Sequence, residues 1–140
     1  DSVQAFAQAF RAKFDQLNLL INNAGVMALP KHQETTDGFE MQFGTNHLGH
    51  FALTGRLIDM LLATPGARIV TVSSGAHRMG RVEFDNLNAE KRYGQWSAYG
   101  LSKLANLLFT YELQRRLKAI GSFKRAASRL EASDAGLPAR

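Results

Sequence analysis

Near the start of the chain, Val3, Phe6, Phe10 and Phe14 recur at helical spacing with Gln and Arg among the residues between them. That period predicts an amphipathic helix from Ser2 to about Phe14, with Asp1 or Ser2 as its N-cap. Leu17 to Ile21 is an apolar run too short for a helix. It ends in Asn22-Asn23-Ala24-Gly25, a turn signal, and so reads as a strand. The loop continues through Pro30 to Thr36. Thr36 or Asp37 can cap a long helix from about Gly38 to Leu62, in which Phe39, Phe43, His47, Phe51, Ile58 and Leu61 approximate one face. Gly44, Gly49 and Gly55 lie inside it, and each lowers helix stability by roughly 1 kcal/mol against Ala unless a close neighbour requires it. Pro65-Gly66 ends this helix. Arg68 to Ser73 is rich in β-branched residues and reads as a second strand. A polar segment, Gly75 to Gln95, contains short turns. Ser97 then precedes a helix to about Lys118, with Leu101, Leu104, Leu108 and Tyr111 as its predicted buried stripe and Gly121 as its C-cap.

The order helix, strand, helix, strand, helix predicts an α/β fold with parallel strands joined by right-handed crossovers. Two strands do not make a stable sheet, and a parallel sheet needs cover on both faces. The pattern therefore describes part of a larger doubly wound domain. No internal repeat occurs. From Ser122 to Arg140 the chain turns rich in Ala, Arg and Ser, without an apolar run long enough for a strand, and that composition predicts a disordered tail.

Composition narrows the picture. The chain has 140 residues, the length of one domain, and 45% of them are apolar, as in a globular protein. The net charge of +5 does not form a basic stripe with interleaved aromatics, so no nucleic-acid partner is expected. No cysteine is present, which removes disulfides and thiolate metal sites and fits a reducing, cytoplasmic setting. The most apolar run, Phe51 to Ala63, is too short to span a membrane and carries Arg56 and Asp59. The first residues lack the basic and apolar regions of a signal peptide, and no initiator Met is present, so the chain is expected to begin within a longer protein.

Tyr99-Gly100-Leu101-Ser102-Lys103 places a phenol and an ammonium at i and i+4, on one face of a helix and one turn apart. A nearby positive charge favours a phenolate, so such a pair can pass a proton to or from an alcohol oxygen. Ser73-Ser74 stands where the second strand ends, and Asn22 to Gly25 where the first ends. Ligands of open α/β sheets bind outside the carboxyl ends of the strands, so these groups belong to one edge. His47, His50 and His77 fit no metal-binding spacing, and no metal is expected.

These residues resemble a known family. Asn22-Asn23-Ala24-Gly25 after an apolar strand is similar to the NNAG motif of short-chain dehydrogenases/reductases. Asn46 in Thr45-Asn46-His47-Leu48-Gly49-His50-Phe51 matches the family's helix asparagine, Ser74 its substrate-orienting serine, and Tyr99 to Lys103 its YxxxK. The resemblance runs from about Asp1 to Gly121. The spacing between Ser74 and Tyr99, with Asn86-Leu87 and Tyr93 in it, is similar to the retinol-dehydrogenase-like branch. It implies a partial Rossmann-type fold and an NAD- or NADP-dependent exchange between a small-molecule alcohol and its carbonyl. Tyr99 would move the proton. Lys103 would favour the phenolate and hold the nicotinamide ribose, and Ser74 would hydrogen-bond the substrate oxygen. Asn46 would hold, through its backbone carbonyl, a water linking Lys103 to solvent. Asn22, Ala24 and Gly25 would line the adenosine side of the cofactor. The hydride step belongs to the cofactor. The family's habit of pairing its two long helices implies a homodimer or homotetramer for the complete protein.

The chain departs from the family at both ends. No Gly-rich phosphate turn precedes Asn22, and the acidic residue that would choose between NAD and NADP is not among these residues. Past Gly121 the family continues with a strand and a Pro-Gly loop. Ser122 to Arg140 matches neither, a loss of pattern that a frameshift near Ser122 would explain. Asn18 stands where the family often has Asp. Two other readings remain: an inactive remnant unable to grip cofactor, and a Ser-Tyr-Lys hydrolase using Ser74. The second would need a GxSxG elbow or an SxxK motif around Ser74, and neither is there.

Overall fold

The computed structural model describes residues 2–119 and 127–129. Helix α1 (Ser2–Lys13) leads to strand β1 (Leu19–Asn22). A helical column follows, made of α2 (Met41–Phe43), a π-turn (Gly44–Leu48) and α3 (Gly49–Ala63). Strand β2 (Arg68–Val72), a 3₁₀ turn (Gly75–Met79), helix α4 (Gln95–Ala119) and strand β3 (Ala127–Arg129) complete the order. The strands are parallel in the order β1-β2-β3, with Leu19 opposite Arg68, Asn22 opposite Thr71 and Val72 opposite Arg129. The α/β class and the parallel sheet are those the alternation predicts.

Burial along the strands shows which face the helices cover. Leu20 and Asn22 of β1 and Ile69 and Thr71 of β2 are buried, whereas Leu19, Ile21 and Arg68 are exposed. Successive side chains of a strand point to opposite faces, so one face is covered. Leu20, Ala67 and Ile69 pack there with Leu61 of α3 and Leu117 of α4. Ala7 of α1 packs with Leu57 and Met60 of α3 in an adjoining cluster. On the other face Ile21 is 56% exposed.

Several elements differ from their predicted form. The first strand is Leu19–Asn22 rather than Leu17 to Ile21. The Leu17 N–H donates to Thr64 Oγ1 at 3.1 Å, outside the ladder. The long helix begins at Met41, not Gly38, because Gly38 adopts φ +79°, a left-handed conformation that cannot continue into a helix. The cap is neither Thr36 nor Asp37. The buried Glu40 carboxylate accepts from the N–H groups of Gln42 at 3.0 Å and Phe43 at 2.7 Å, where a negative charge complements the helix dipole. The column is then interrupted by the π-turn, closed by the Gly49 N–H donating to the Gly44 carbonyl. Gly44 is required there, since a Cβ would come 2.7 Å from Thr35 Cγ2.

Helix α4 begins two residues before Ser97, and its buried stripe is not the predicted one. Leu101 is buried, but Leu104 is only half-buried, and Leu108 and Tyr111 are 50% and 65% exposed. The buried side carries Ala98, Tyr99, Ser102, Lys103, Asn106, Leu107 and Thr110. Apolar periodicity misses this face because much of what it buries is polar and paired with the π-turn and β2. A strand also follows where none was predicted. Ala127–Arg129 pairs with β2, because an open strand edge offers backbone groups that need no apolar run to be satisfied. Gly121 and the rest of the tail lie outside the described residues.

Candidate active site

Parallel pairing brings the carboxyl ends of β1 and β2 to one edge, with Asn22 opposite Thr71. Helix α4 lies against β2 and the π-turn and delivers Tyr99 and Lys103 to that edge. One helical turn separates the two, and the Lys103 ammonium lies 5.6 Å from the centroid of the Tyr99 ring. Lys103 is 5% exposed, and its Nζ donates to the Val72 carbonyl, the last of β2, at 3.4 Å. Burial lowers its pKa from the usual lysine value, since a charge loses hydration there.

The two serines after β2 divide the work. Ser73 is buried, and its hydroxyl donates to the Lys103 carbonyl at 2.8 Å, fixing the strand end to the helix. Ser74 Oγ accepts from the Ala76 N–H at 3.2 Å and caps the 3₁₀ turn. That turn sits backbone to backbone on α4. A Cβ at Gly100 would lie 2.7 Å from the Gly80 nitrogen and 2.8 Å from the Ala76 carbonyl oxygen. The glycine pair thus holds the segment bearing Ser74 against the residue next to Tyr99. His77 Nδ1 and the His77 N–H both donate to the Ser74 carbonyl, at 2.6 and 3.0 Å. The imidazole is committed to backbone and not to Ser74 Oγ.

Asn46 is fully buried in the π-turn. Its Nδ2 donates to the Val26 carbonyl at 2.8 Å and to Ser102 Oγ at 3.0 Å, and its Oδ1 accepts from the Val26 N–H at 2.8 Å. Ser102 Oγ donates to the Tyr99 carbonyl at 2.7 Å. The Asn46 side chain therefore ties the loop after β1 to the helix of Tyr99. Gly25 lets this happen, since a Cβ there would sit 2.8 Å from Asn46 Oδ1.

Among the residues expected to face a cofactor, Ala24 and Gly25 are exposed at the edge. Asn22 is buried, with its Nδ2 donating to Thr54 Oγ1 at 3.0 Å and Thr71 Oγ1 at 3.4 Å. Its Oδ1 is buried without a hydrogen-bond partner among the described residues. Sequence reasoning passed over Asn106 and gave His50 no role, yet both contact the Asn46 carbonyl. The available signal was spacing: Asn106 is three residues beyond Lys103 on the same helical face, and His50 is four beyond Asn46. No group of three or more His, Cys, Asp or Glu among the described residues could hold a metal ion.

A family model described as short chain dehydrogenase matches residues 1–121. Retinol dehydrogenase 11 of Homo sapiens is 55% identical over 120 residues, covering 86% of this chain and 37% of that protein. Retinol dehydrogenase 12 of Mus musculus is 53% identical over 120 residues, covering 86% of this chain and 38% of its own length. A solved structure of an uncharacterised protein from Mycobacterium Paratuberculosis superposes with a TM-score of 0.78 at 52% identity, over 91% of this chain and 45% of the other. The chain thus spans less than half the length of each of these proteins.

Proposed function

We propose that this chain, which belongs to the short chain dehydrogenase family, carries the proton-handling part of an oxidoreductase that interconverts an alcohol and a carbonyl with NAD or NADP. The observation that carries this reading is the Lys103 ammonium beside the Tyr99 ring, seated on the last carbonyl of β2 at the edge where open α/β sheets bind ligands.

The residues present fit the nicotinamide and ribose side of such a cofactor. Lys103 has three N–H donors, and the Val72 carbonyl takes one, leaving donors for ribose hydroxyls. Asn22 Oδ1 is an acceptor at the same edge without a partner among the described residues, and Ala24 and Gly25 are exposed beside it. When bound, the cofactor supplies or accepts the hydride. In reduction Tyr99 gives its hydroxyl proton to the carbonyl oxygen, and in oxidation it receives the alcohol's proton. The neighbouring ammonium stabilises the charge that develops on the phenol oxygen as the proton moves. Ser74 orients the substrate oxygen through its hydroxyl. Asn46 keeps the loop after β1 and the Tyr99 helix in register.

Both named curated relatives are retinol dehydrogenases, so retinol and its aldehyde are the first substrates to try. In the complete protein, Tyr99→Phe should lower kcat by about 100- to 10,000-fold, the usual contribution of a positioned acid–base group, while cofactor affinity is retained. Wild-type protein without turnover with either nucleotide, or a Tyr99→Phe variant that keeps its activity, would overturn the reading.

A second reading draws on the open face of the sheet at Ile21. The 140 residues alone would then be an inactive piece that grips nicotinamide nucleotides weakly. Calorimetry on the isolated chain tests this, and micromolar affinity would defeat it.

The complete protein also self-associates in our reading. Phe43, His47, Phe51 and Phe109 form a run of ring contacts at centroid distances of 5.4 to 6.2 Å across the helical column and α4, with Phe51 itself exposed, as are Leu108 and Tyr111 of α4. The solution mass from light scattering decides between monomer and oligomer. Among the described residues no helix is long and apolar enough to cross a membrane. The absence of cysteine supports a reducing, cytoplasmic setting for this part of the protein.

A further inference from the structure

Asn106 lies on α4, 1% exposed, with its side chain between three backbone or side-chain partners. Its Nδ2 donates to the Asn46 carbonyl at 3.0 Å and to the Val72 carbonyl at 3.2 Å. Its Oδ1 is 3.1 Å from His47 Nδ1. An amide carries donors only on its nitrogen and a carbonyl only accepts, so this is the one orientation that satisfies both carbonyls. The same rule settles the histidines. His47 Nδ1 faces an acceptor and carries a hydrogen. His50 Nδ1, 2.7 Å from the Asn46 carbonyl oxygen, also carries one. Burial lowers the pKa of both rings, so the network is built around neutral imidazoles in the Nδ1–H tautomer.

Two carbonyls each take two side-chain donors. A carbonyl oxygen has two lone pairs. Asn106 and His50 donate to that of Asn46. Asn106 and Lys103 donate to that of Val72. We infer that Asn106 is a positioning residue for Lys103: its amide fixes the Val72 carbonyl on which the ammonium rests and locks that carbonyl to the π-turn through Asn46 and His47. The Asn46 carbonyl, which the family resemblance assigns to a water leading away from Lys103, is held here by side chains of this chain. The titratable groups around the network are His47 and His50 from the helical column and Tyr99 and Lys103 from α4, while β2 contributes backbone carbonyls. Asn106 acts through Lys103, and its effect on turnover rests on the oxidoreductase reading above.

The test uses the complete protein and has two arms. In the first, ¹⁵N NMR of histidine-labelled protein reports ring tautomers without any activity. Nδ1–H at both His47 and His50 is expected, and Nε2–H at His47 overturns the inference. In the second, kcat for alcohol oxidation is followed against pH in variants shown to be folded by circular dichroism. Asn106→Asp keeps the shape but sets a carboxylate beside Lys103, so the acid limb should move up by about one pH unit with KM changed less than about twofold. Asn106→Leu should lower kcat about tenfold. His47→Gln, which can still donate to Asn106, should keep wild-type kcat, whereas His47→Phe should lose about threefold. If Asn106→Leu does not fold, the Asp variant and the His47 pair decide. An unmoved acid limb together with equal kcat in the two His47 variants overturns the inference. A wild type without turnover sinks the oxidoreductase reading instead, and the tautomers still decide the network.

Discussion

Asn46 grips Val26 by both ends of its amide, donating to its carbonyl and accepting from its N–H at 2.8 Å each. The pair mimics one rung of a sheet ladder between a side chain and a loop, and it joins the end of β1 to the π-turn. A third bond, to Ser102 Oγ, extends the grip to the Tyr99 helix. Asn46→Ala removes all three bonds at a fully buried site and should destabilise the protein by about 3 kcal/mol, at about one per bond. Urea unfolding measures this, and a loss below about 1 kcal/mol would mean that the clamp is dispensable.

Gly100→Ala tests the seat of the Ser74 segment. The added methyl meets the Gly80 nitrogen and the Ala76 carbonyl oxygen, which are backbone atoms that cannot turn aside as a side chain could. The 3₁₀ turn must lift from α4, with a loss of about 1–3 kcal/mol typical of overpacking. Activity should fall more than stability does, because the displaced segment carries Ser74 while Tyr99 stays on its helix. Equal kcat at unchanged melting temperature would show that the turn tolerates the shift.

How much of this was readable in advance follows from what sequence patterns encode. β1 and β2 were visible as β-branched or apolar runs closed by turn residues, the shared face of Tyr99 and Lys103 followed from i,i+4 spacing, and their edge followed from the carboxyl ends of the strands. The start of the helical column was not visible, because Gly38 and the Glu40 cap depend on a left-handed turn that no periodicity announces. Nor was the buried face of α4. Hydrophobic patterning finds faces buried by apolar contact, whereas Ser102, Lys103 and Asn106 are buried by reciprocal hydrogen bonds. Asn106 is central to the site for the same reason that it escaped notice: its partners are mostly main-chain carbonyls, which every sequence contains.

His47 and His50 give the fold an acid-sensitive window. Burial lowers both pKa values below 6.5. As pH falls through 6.5, the unfolded chain takes up protons that the folded chain still refuses, so stability drops until the folded rings protonate as well. Above 6.5 the two rings contribute no slope. Urea midpoints should therefore decline as pH falls through about 6.5, and His47→Gln should flatten part of that decline. Glu112 cannot be the source. Arg115 and Arg116 hold its pKa to about 2, so it acts in a more acidic window, and its side chain is about half exposed, in surface ion pairs of the kind that contribute little. A flat profile across the histidine window would mean that the rings are hydrated in solution.

Tyr93 latches the loop after β1 to the segment entering α4. Its hydroxyl donates to the Leu29 carbonyl at 2.6 Å and accepts from Gln42 Nε2 at 3.2 Å. Gln42 also donates to the Gln95 carbonyl and accepts from the Ala28 N–H at 2.7 Å. Ala28 has φ +50°, a strained conformation for a residue with a Cβ, so its amide stays in place only while Gln42 holds it. Tyr93→Phe removes the hydroxyl, leaves the Leu29 carbonyl unpaired and frees Gln42 to turn. A loss of about 1–2 kcal/mol is expected, with faster hydrogen exchange at the Ala28 amide than at the amides of α4. Unchanged protection at Ala28 would show that Gln42 is fixed without Tyr93, and that the latch lies in the Gln42–Gln95 bond alone.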